Sequence, residues 1–229
     1  MKFNKNINCD HCQLKCDIYQ ALQDSTDDFS CIKPLHVHYE RHEYICKQGS
    51  PVSHAIYLVD GSAKLFIEGL NNRNITLYIM KPKTYIGLLS FFETPYYSYS
   101  VKALENSQIC MIDLDCIKKL YINNHNFLLK LNKAFGKSVS SILSKIITLN
   151  QKNIRGRIAD SLLYLSDLYK SDSFEMLLSR KELGELSAIS EENAVRILSE
   201  FRKEGIIDVK GKRISILDRN LITKISEVG

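Results

Sequence analysis

One segment near the carboxyl end restricts the possible folds of this chain more than any other. It runs from Leu178 to Leu217 with the sequence LSRKELGELSAISEENAVRILSEFRKEGIIDVKGKRISIL. Ser179 and Glu182 have the spacing of a capping box, and Ser190 is a second N-cap candidate, followed by two acidic residues. A basic turn at 210–212 then separates two short apolar runs. The pattern predicts two helices joined by a tight turn and followed by a β-hairpin, which is a winged helix-turn-helix.

A winged helix-turn-helix places its second helix in the major groove of DNA. Glu192 and Arg196 lie four residues apart on that helix, so both project from one face. A guanidinium binds guanine in a bidentate manner, and a carboxylate accepts a hydrogen bond from the amino group of cytosine. The predicted base and phosphate contacts are Arg180, Lys181, Ser190, Glu191, Glu192, Asn193, Val195, Arg196, Lys210, Lys212 and Arg213. The alternative is an exposed Glu192–Arg196 ion pair on a solvated helix.

The chain before this segment has two further patterns. From Leu35 to about Leu114, short runs rich in Ile, Val, Tyr and Phe alternate with turn signals, which predicts a small antiparallel β-roll. After Asn126, apolar residues recur every three or four positions without proline, which predicts one long amphipathic helix. We predict an α+β chain of four parts: a cysteine-containing arm with a short helix (1–34), a jelly-roll-like β-roll (35–115), a helical linker and dimerisation helix (116–150) and the winged helix-turn-helix (151–229).

The long helix carries one apolar seam. Its members are Leu128, Leu131, Phe135, Val139, Ile142, Ile146 and Leu149. A helix of this length would overhang a roll of this size, so we expect the seam to pair with a second copy of the chain in a homodimer.

Composition limits the partners and the compartment. The formal net charge of +5 suits an anionic partner but does not identify nucleic acid by itself. No window has eighteen consecutive apolar residues and no secretory signal is present, so we expect a cytoplasmic protein without a membrane span. The common catalytic motifs are absent, and catalysis is not expected. Two other classes stay open: a redox protein or enzyme that uses a cysteine-bound metal, and a regulator whose winged helix binds protein.

The order of β-roll, long helix and winged helix resembles the CRP/FNR family of bacterial transcription regulators over nearly the whole chain. EENAVR resembles the Glu-x-x-x-Arg recognition segment of that family, and Gly49, Gly61 and Gly87 stand where its roll has turn glycines. The resemblance implies a homodimer on a palindrome with TTGA- or TGTGA-like half-sites, in which Arg196 contacts a guanine and Glu192 its pairing partner. It also implies a redox, gas or small-molecule signal and contact with RNA polymerase.

Cyclic-AMP-binding members of the family hold the nucleotide with a Gly-Glu-Leu segment and a following Arg-Ser pair. The matching positions here are Gly87-Leu88-Leu89 and Tyr97-Ser98, so the polar partners of the ribose and phosphate are replaced. Cyclic AMP is therefore not expected. The tyrosine-rich TPYYSYS is either the lining of a pocket for an unknown small effector or a cover over the core.

The stretch NCDHCQLKC near the amino terminus has three closely spaced cysteines. Other family members sense oxygen with a [4Fe-4S] cluster held by three amino-terminal cysteines and one from the roll, and ALENSQICMIDL resembles the segment of that fourth ligand. The ligands implied by the resemblance are Cys9, Cys12, Cys16 and Cys110. Because the amino-terminal spacing is tighter than in the oxygen sensor of this family, Cys31, Cys46 or His11 are alternative ligands. Zinc on the same thiols, or free thiols with Cys110 as a small core residue, also remain open.

Overall fold

The computed structural model describes four stretches of the chain: 2–4, 15–24, 32–87 and 96–229. Contacts divide the chain into two compact units: Met1–Ile67 with Ile79–Ser140, and Glu68–Tyr78 with Ser141–Gly229. The boundary between Ser140 and Ser141 falls inside the long helix. Among the helices of the described stretches, none is both long and apolar enough to cross a membrane.

Antiparallel strands dominate the chain before the long helix. In the described residues they are β1 (Lys2–Asn4), β2 (Leu35–Tyr39), β3 (Tyr44–Cys46), β4 (His54–Asp60), β5 (Ala63–Ile67), β6 (Ile75–Met80), β7 (Thr84–Ile86), β8 (Ser100–Ala103) and β9 (Ser107–Asp113). One sheet has the order β1-β2-β9-β4-β7 and the other β3-β8-β5-β6. In the first sheet, β9 lies between β2 and β4, so strands far apart in sequence become neighbours. These two sheets confirm the predicted β-roll.

Helices cover one face of the first sheet. They are α1 (Asp17–Gln23), α2 (Leu114–Asn123) and the beginning of α3 (His125–Gln151). The Asn124 side chain donates to the Ala21 carbonyl at 3.1 Å and accepts from the Phe127 amide at 2.9 Å, so it fixes α1 beside the start of α3. The cluster buried between helices and sheet includes Ile18, Ala21, Tyr57, Tyr85, Cys110, Ile112, Cys116, Ile117, Leu120, Phe127 and Leu131. We call this set the helix-covered cluster.

The long helix forms as predicted, with 27 residues in α3. The predicted seam along it is not uniform, because Leu131 is only 1% exposed and packs inside its own unit. Leu131 is therefore not available to a second copy of the chain. The reason is that the first turns of α3 lie against the roll. Four large apolar side chains of α3 are about half exposed: Leu129, Leu143, Ile146 and Ile147.

The second unit contains the winged helix. Its elements after α3 are α4 (Ile154–Tyr169), β10 (Ser173–Glu175), α5 (Arg180–Ser187), α6 (Glu191–Lys203), β11 (Ile207–Lys210), β12 (Arg213–Ile216) and α7 (Arg219–Val228). The hairpin of β11 and β12 gains a third strand, since β10 pairs with β12. The sequence KSDSF, which reads as a polar loop, thus holds most of a strand. Its pairing partner lies some forty residues away, so local composition gives no sign of it.

Candidate DNA-binding surface and thiol site

The helix-turn-helix is built from the local signals in its sequence. The Ser179 hydroxyl accepts from the Glu182 amide at 3.1 Å, and the Glu182 carboxylate accepts from the Ser179 amide at 2.9 Å, which completes the predicted capping box. Ala188 takes the left-handed conformation (φ +50°) in the turn after α5. A Cβ atom at Gly184 would lie 2.8 Å from the Ile189 carbonyl oxygen, so only glycine lets the turn pass this close to α5.

The second helix, α6, has one buried and one exposed face. Ser190 caps it by accepting from the Asn193 amide at 3.3 Å. The buried side chains are Ala194, Ile197, Leu198 and Phe201, all less than 5% exposed. The exposed side chains in its first half are Glu191, Glu192, Val195 and Arg196. Four of the predicted base-contacting positions therefore share the exposed side of the helix.

Arg196 is engaged within its own helix. Its Nη1 lies 2.5 Å from Glu200 Oε1, and its Nη2 lies 3.3 Å from Asn193 Oδ1. Glu200 also accepts from Arg155 at 3.1 Å, so one carboxylate joins two guanidinium groups. The ion pair that the sequence offered as the alternative, Glu192 with Arg196, is thus replaced by one with Glu200. The Arg196 side chain is 53% exposed and can reorient towards a ligand.

The wing joins α5 through Arg180. Its Nη2 donates to the Gly211 carbonyl at 2.8 Å, and Gly211 makes the turn between β11 and β12 with φ +60°. Burial lowers the pKa of the Arg180 guanidinium. Arg180 therefore holds the wing turn in place, and the phosphate contact expected of it stays a prediction. Three basic side chains remain exposed around that turn: Lys210, Lys212 and Arg213.

A buried lysine of the long helix, Lys145, is hydrogen-bonded to the first helix of the helix-turn-helix. The Lys145 ammonium donates to the Leu186 carbonyl in the last turn of α5, where a positive charge is favourable. Lys145 is 9% exposed. Burial, with a contribution from Arg157, lowers its pKa to about 8, although Asp160 acts in the opposite direction.

The thiol site lies on the helix-covered face of the first unit. Cys110, in β9, is 8% exposed, and its neighbours across the sheet are Tyr57 on one side and His36 on the other. Cys16 directly precedes α1 and packs at the edge of the helix-covered cluster. Two of the four predicted thiols therefore lie at the same cluster. Cys116, which the sequence did not single out, belongs to it as well.

Two tyrosines of the helix-covered cluster, Tyr57 and Tyr85, have raised pKa values. Burial first, then negative charge on Cys16, Asp17 and Cys110, raises the pKa of Tyr57 to about 12. Burial first, then Asp17, Cys16, Tyr57 and Cys110, also raises the pKa of Tyr85. In the sheet, Cys110 is paired directly with Tyr57, and Tyr57 is paired with Tyr85.

The remaining predicted ligands divide into two groups. Cys9, Cys12, Cys31 and His11 lie outside the described residues. Cys46 is described, but it lies in β3 of the other sheet and burial raises the pKa of its thiol to about 12. Cys46 is therefore not a substitute ligand beside Cys110. In the described stretches, no three side chains of the metal-binding types come together as a metal site. Four cysteines of these stretches form no disulfide: Cys16, Cys46, Cys110 and Cys116.

Tyr97, which the family resemblance matches to the arginine of cyclic-AMP-binding members, is a buried tyrosine. Tyr97 is 5% exposed and its ring meets that of Tyr99 at 6.0 Å. Its Cε1 atom would lie 3.5 Å from a Cβ placed on Gly87, whose φ is +100°. The tyrosine ring thus occupies the space beside the turn glycine. Leu88 and Leu89 lie outside the described residues.

Comparisons with known proteins place this architecture in a class. The cyclic nucleotide-binding domain family matches residues 36–124, and the Crp-like helix-turn-helix domain family matches residues 156–225. The chain is 26% identical to the transcriptional activator protein anr of Pseudomonas aeruginosa over 182 residues, which cover 77% of this chain and 74% of that protein. It is 25% identical to the cAMP-activated global transcriptional regulator CRP of Salmonella typhimurium over 187 residues, 79% of this chain and 89% of the other.

A solved structure has the same fold. FixK2 from Bradyrhizobium japonicum superimposes with a TM-score of 0.75 at 17% identity, over 83% of this chain and 96% of that one. A sensor-type roll followed by a Crp-like helix-turn-helix defines a DNA-binding transcription regulator. The chain belongs to the CRP/FNR family of transcription regulators. Its similarity to anr and to CRP is nearly equal, so identity alone does not select a signal.

Proposed function

We propose that the protein acts in the cytoplasm as a homodimer that binds a palindromic site with TTGA- or TGTGA-like half-sites. The observation that carries this proposal is the exposed first half of α6, which presents Glu192 and Arg196 above a fully packed opposite face. Arg196 donates to guanine and Glu192 accepts from the paired cytosine. Exposed Lys181, Lys210, Lys212 and Arg213, with the hydroxyl of Ser190, contact phosphates and set the register.

Base contact requires a change of partner at Arg196. Its guanidinium is bound to Glu200 in the described structure, and the same groups cannot donate fully to guanine at the same time. An exposed ion pair of this type contributes only about 0.2–1 kcal/mol, whereas a bidentate contact with guanine contributes about 1–3 kcal/mol of discrimination. For Arg196, leaving Glu200 is therefore favourable where a guanine can replace it and unfavourable where no guanine is present.

The dimer contact falls on the exposed side of α3. Leu143, Ile146 and Ile147 are 56%, 49% and 54% exposed. Exposed aliphatic side chains repeated along one helix favour pairing with a second helix. Of the predicted seam, Ile146 fits this surface directly, and Leu128, Phe135, Val139, Ile142 and Leu149 are half-buried and contribute at its margin. Ile146→Asp is expected to convert the dimer to monomers in sedimentation and to remove the preference for a palindrome.

The signal enters through thiols in this proposal. Cys16 and Cys110 share one cluster of the first unit, and Cys9 and Cys12 complete the set of four that suits a [4Fe-4S] cluster. A bound cluster supplies reactivity towards oxygen or nitric oxide. Zinc on the same thiols, or a small effector in the roll, is the alternative signal. Cyclic AMP is disfavoured because the family resemblance matches buried Tyr97 to the cation that would hold the phosphate.

Contact with RNA polymerase is part of the proposal, because it is the usual route by which DNA-bound regulators of this family act. Transcription in vitro from a promoter that carries the palindrome would show an effect that depends on the intact winged helix. A protein that binds the palindrome and leaves transcription unchanged contradicts this part alone.

A binding titration tests the main proposal. The protein is titrated with a TTGA palindrome, a TGTGA palindrome and a scrambled duplex of the same composition at several salt concentrations. Binding to one palindrome should exceed binding to the scrambled duplex by about a thousandfold or more, and both should weaken log-linearly with salt. Equal affinity for all three duplexes contradicts the proposal.

A further inference from the structure

A pocket in the second unit is lined by residues of α3, α4, α5 and β6. Its volume is about 200 Å³. The wall carries the ammonium group of Lys145, the hydroxyl groups of Ser144 and Ser161, and the apolar side chains of Leu77 and Leu186. All of its lining residues belong to this one compact unit. The pocket therefore combines a cation, several polar groups and an apolar part.

Lys145 is the cation of this pocket and is deeply buried. It is 9% exposed, and lysines are rarely buried to this extent unless they are paired with an opposite charge. Among the residues that the structure describes, its ammonium donates to the Leu186 carbonyl and forms no ion pair. An ammonium group has three donor hydrogens, so this carbonyl satisfies one of them. The buried charge therefore has no counter-ion from the described part of the chain.

The carboxylate that also lines the pocket, Asp160, is bound to another lysine. Its Oδ1 lies 2.5 Å from Lys152 Nζ, and its Oδ2 accepts from the Thr148 hydroxyl at 3.3 Å. Burial, with a contribution from Arg157, lowers the pKa of Lys145 to about 8 even though Asp160 acts in the opposite direction. Asp160 therefore does not compensate the charge of Lys145, and the pocket favours an anion.

The volume of the pocket limits the size of that anion. A dry cavity of about 150 Å³ holds a benzene molecule, whereas drug-sized ligands occupy pockets of about 300–1,000 Å³. A pocket of about 200 Å³ therefore suits a compact anion of the size of benzoate. The leucine side chains in the wall favour an organic anion with an apolar body over an inorganic one.

The pocket lies on the side of α3 that faces away from the proposed dimer surface. Since an α-helix makes one turn in about 3.6 residues, Ser141, Lys145 and Thr148 share one face of α3. Leu143 and Ile146, which are exposed, lie on the other side of the helix. Pairing of two copies through those side chains therefore leaves the pocket face of α3 available to a ligand.

We propose that this pocket binds a small organic anion. The carboxylate of the ligand accepts hydrogen bonds from the Lys145 ammonium and the Ser144 hydroxyl, and its apolar body lies against Leu77 and Leu186. The inference goes beyond the proposed function, because it places a ligand in the DNA-binding unit and uses none of the cysteines. It therefore stands or falls independently of the thiol signal.

Calorimetric titration of the full-length protein with three probes tests the class of ligand. The probes are sodium benzoate, benzamide and sodium phosphate. Benzamide has nearly the shape of benzoate without its charge, so it should bind about tenfold to a hundredfold more weakly, the contribution of a hydrogen bond between charged groups. Phosphate should also bind more weakly than benzoate, because it has no apolar body. Phosphate binding as tight as that of benzoate contradicts the organic part of the proposal.

Two variants and one control place the ligand in this pocket. Lys145→Gln removes the cation, and Ser144→Phe fills the pocket from an exposed position of α3 that tolerates a larger side chain. Both should lose benzoate binding, and the second keeps the test valid if the first fails to fold. Lys224→Met removes an exposed lysine of the same unit and should bind benzoate like the unchanged protein.

Thermal unfolding separates ligand binding from a merely structural role of Lys145. Benzoate should raise the unfolding temperature of the unchanged protein and of Lys224→Met, but not that of Ser144→Phe, because only a bound ligand stabilises the folded state. The proposal is overturned if benzoate does not bind at millimolar concentrations, if benzamide binds equally well, or if Ser144→Phe binds benzoate like the unchanged protein. DNA titration of the same samples reports separately on the proposed function, which survives each of these outcomes.

Discussion

The winged helix and the cysteine-bearing face of the roll differ in how far apart in sequence their contacting residues lie. In the winged helix, the capping box joins Ser179 and Glu182, three residues apart. On the roll, Cys110 meets Tyr57 and His36, which come from strands far away in the sequence. Caps and turns follow from local residue types, whereas strand register depends on the packing of the whole sheet. A site of the first kind can be found in a sequence, and one of the second kind needs the fold.

A core substitution under the cysteine face should have the largest effect on stability. Leu131 belongs to the helix-covered cluster and is 1% exposed. Leu131→Ala should lower the free energy of unfolding by about 2–5 kcal/mol, because it deletes buried methyl groups and leaves a cavity. Urea unfolding followed by circular dichroism measures the change.

Leu143→Ala is the matched control for that experiment. It makes the same chemical change on the same helix at a side chain that is 56% exposed. Its effect on unfolding should depend on protein concentration, since it acts through self-association, while the effect of Leu131→Ala should not. If both variants behave alike, α3 is not divided into a roll-packed part and an exposed part.

The next largest effect concerns the buried lysine under the winged helix. The folded-state pKa of Lys145 is about 8, below the ordinary value near 10.4, chiefly because burial penalises the charged form. Between these two pH values the unfolded chain binds more protons, so the stability of the unchanged protein should rise with pH relative to Lys145→Met. Over this pH range the stability of the unchanged protein relative to Lys145→Met should rise by about 3 kcal/mol. Below pH 8 this relative stability should not change with pH.

Paired urea titrations at pH 7 and pH 10 measure this shift. Lys224→Met, which removes an exposed lysine from the same unit, should show no comparable change between the two pH values. The burial of Lys145 as a charged group is contradicted if the difference between the unchanged protein and Lys145→Met is the same at both pH values.

Contacts between residues far apart in sequence are the part of this structure that the sequence does not predict. The roll, the long helix and the winged helix follow from periodicity, and the helix bounds at Ser179 and Ser190 follow from caps. The strand β10 was missed because its partner is distant. Tyr57 and His36 were missed for the same reason, since nothing near either of them in sequence indicates Cys110 as a neighbour. The role of Cys16 and Cys110 as ligands was suggested by family resemblance and stays a prediction.

Specific DNA binding gives the third prediction. Arg196→Ala should weaken binding at the cognate palindrome by about 1–3 kcal/mol and remove the preference at one base pair. Lys212→Ala, an exposed wing residue, should instead weaken all duplexes nearly uniformly and reduce the salt dependence. Competition binding with matched and singly mismatched duplexes measures both. Equal loss of discrimination in the two variants contradicts the division between base contact at α6 and phosphate contact at the wing.

The smallest effect separates the two acidic partners of Arg155. Glu200 binds both Arg155 and Arg196, whereas Glu204 binds Arg155 at 2.8 Å. Glu200→Gln weakens the contact that Arg196 must leave to reach guanine, and Glu204→Gln removes an equal charge from the end of the same helix. Glu200→Gln should therefore strengthen specific binding more than Glu204→Gln does, by roughly 0.2–1 kcal/mol, the contribution of an exposed ion pair. A salt titration of both variants tests whether the gain comes from Arg196. Each substitution removes one negative charge, so both should change nonspecific binding equally. If the two variants bind the palindrome alike, Glu200 does not compete with DNA for Arg196, and the guanidinium reaches its base without leaving a partner.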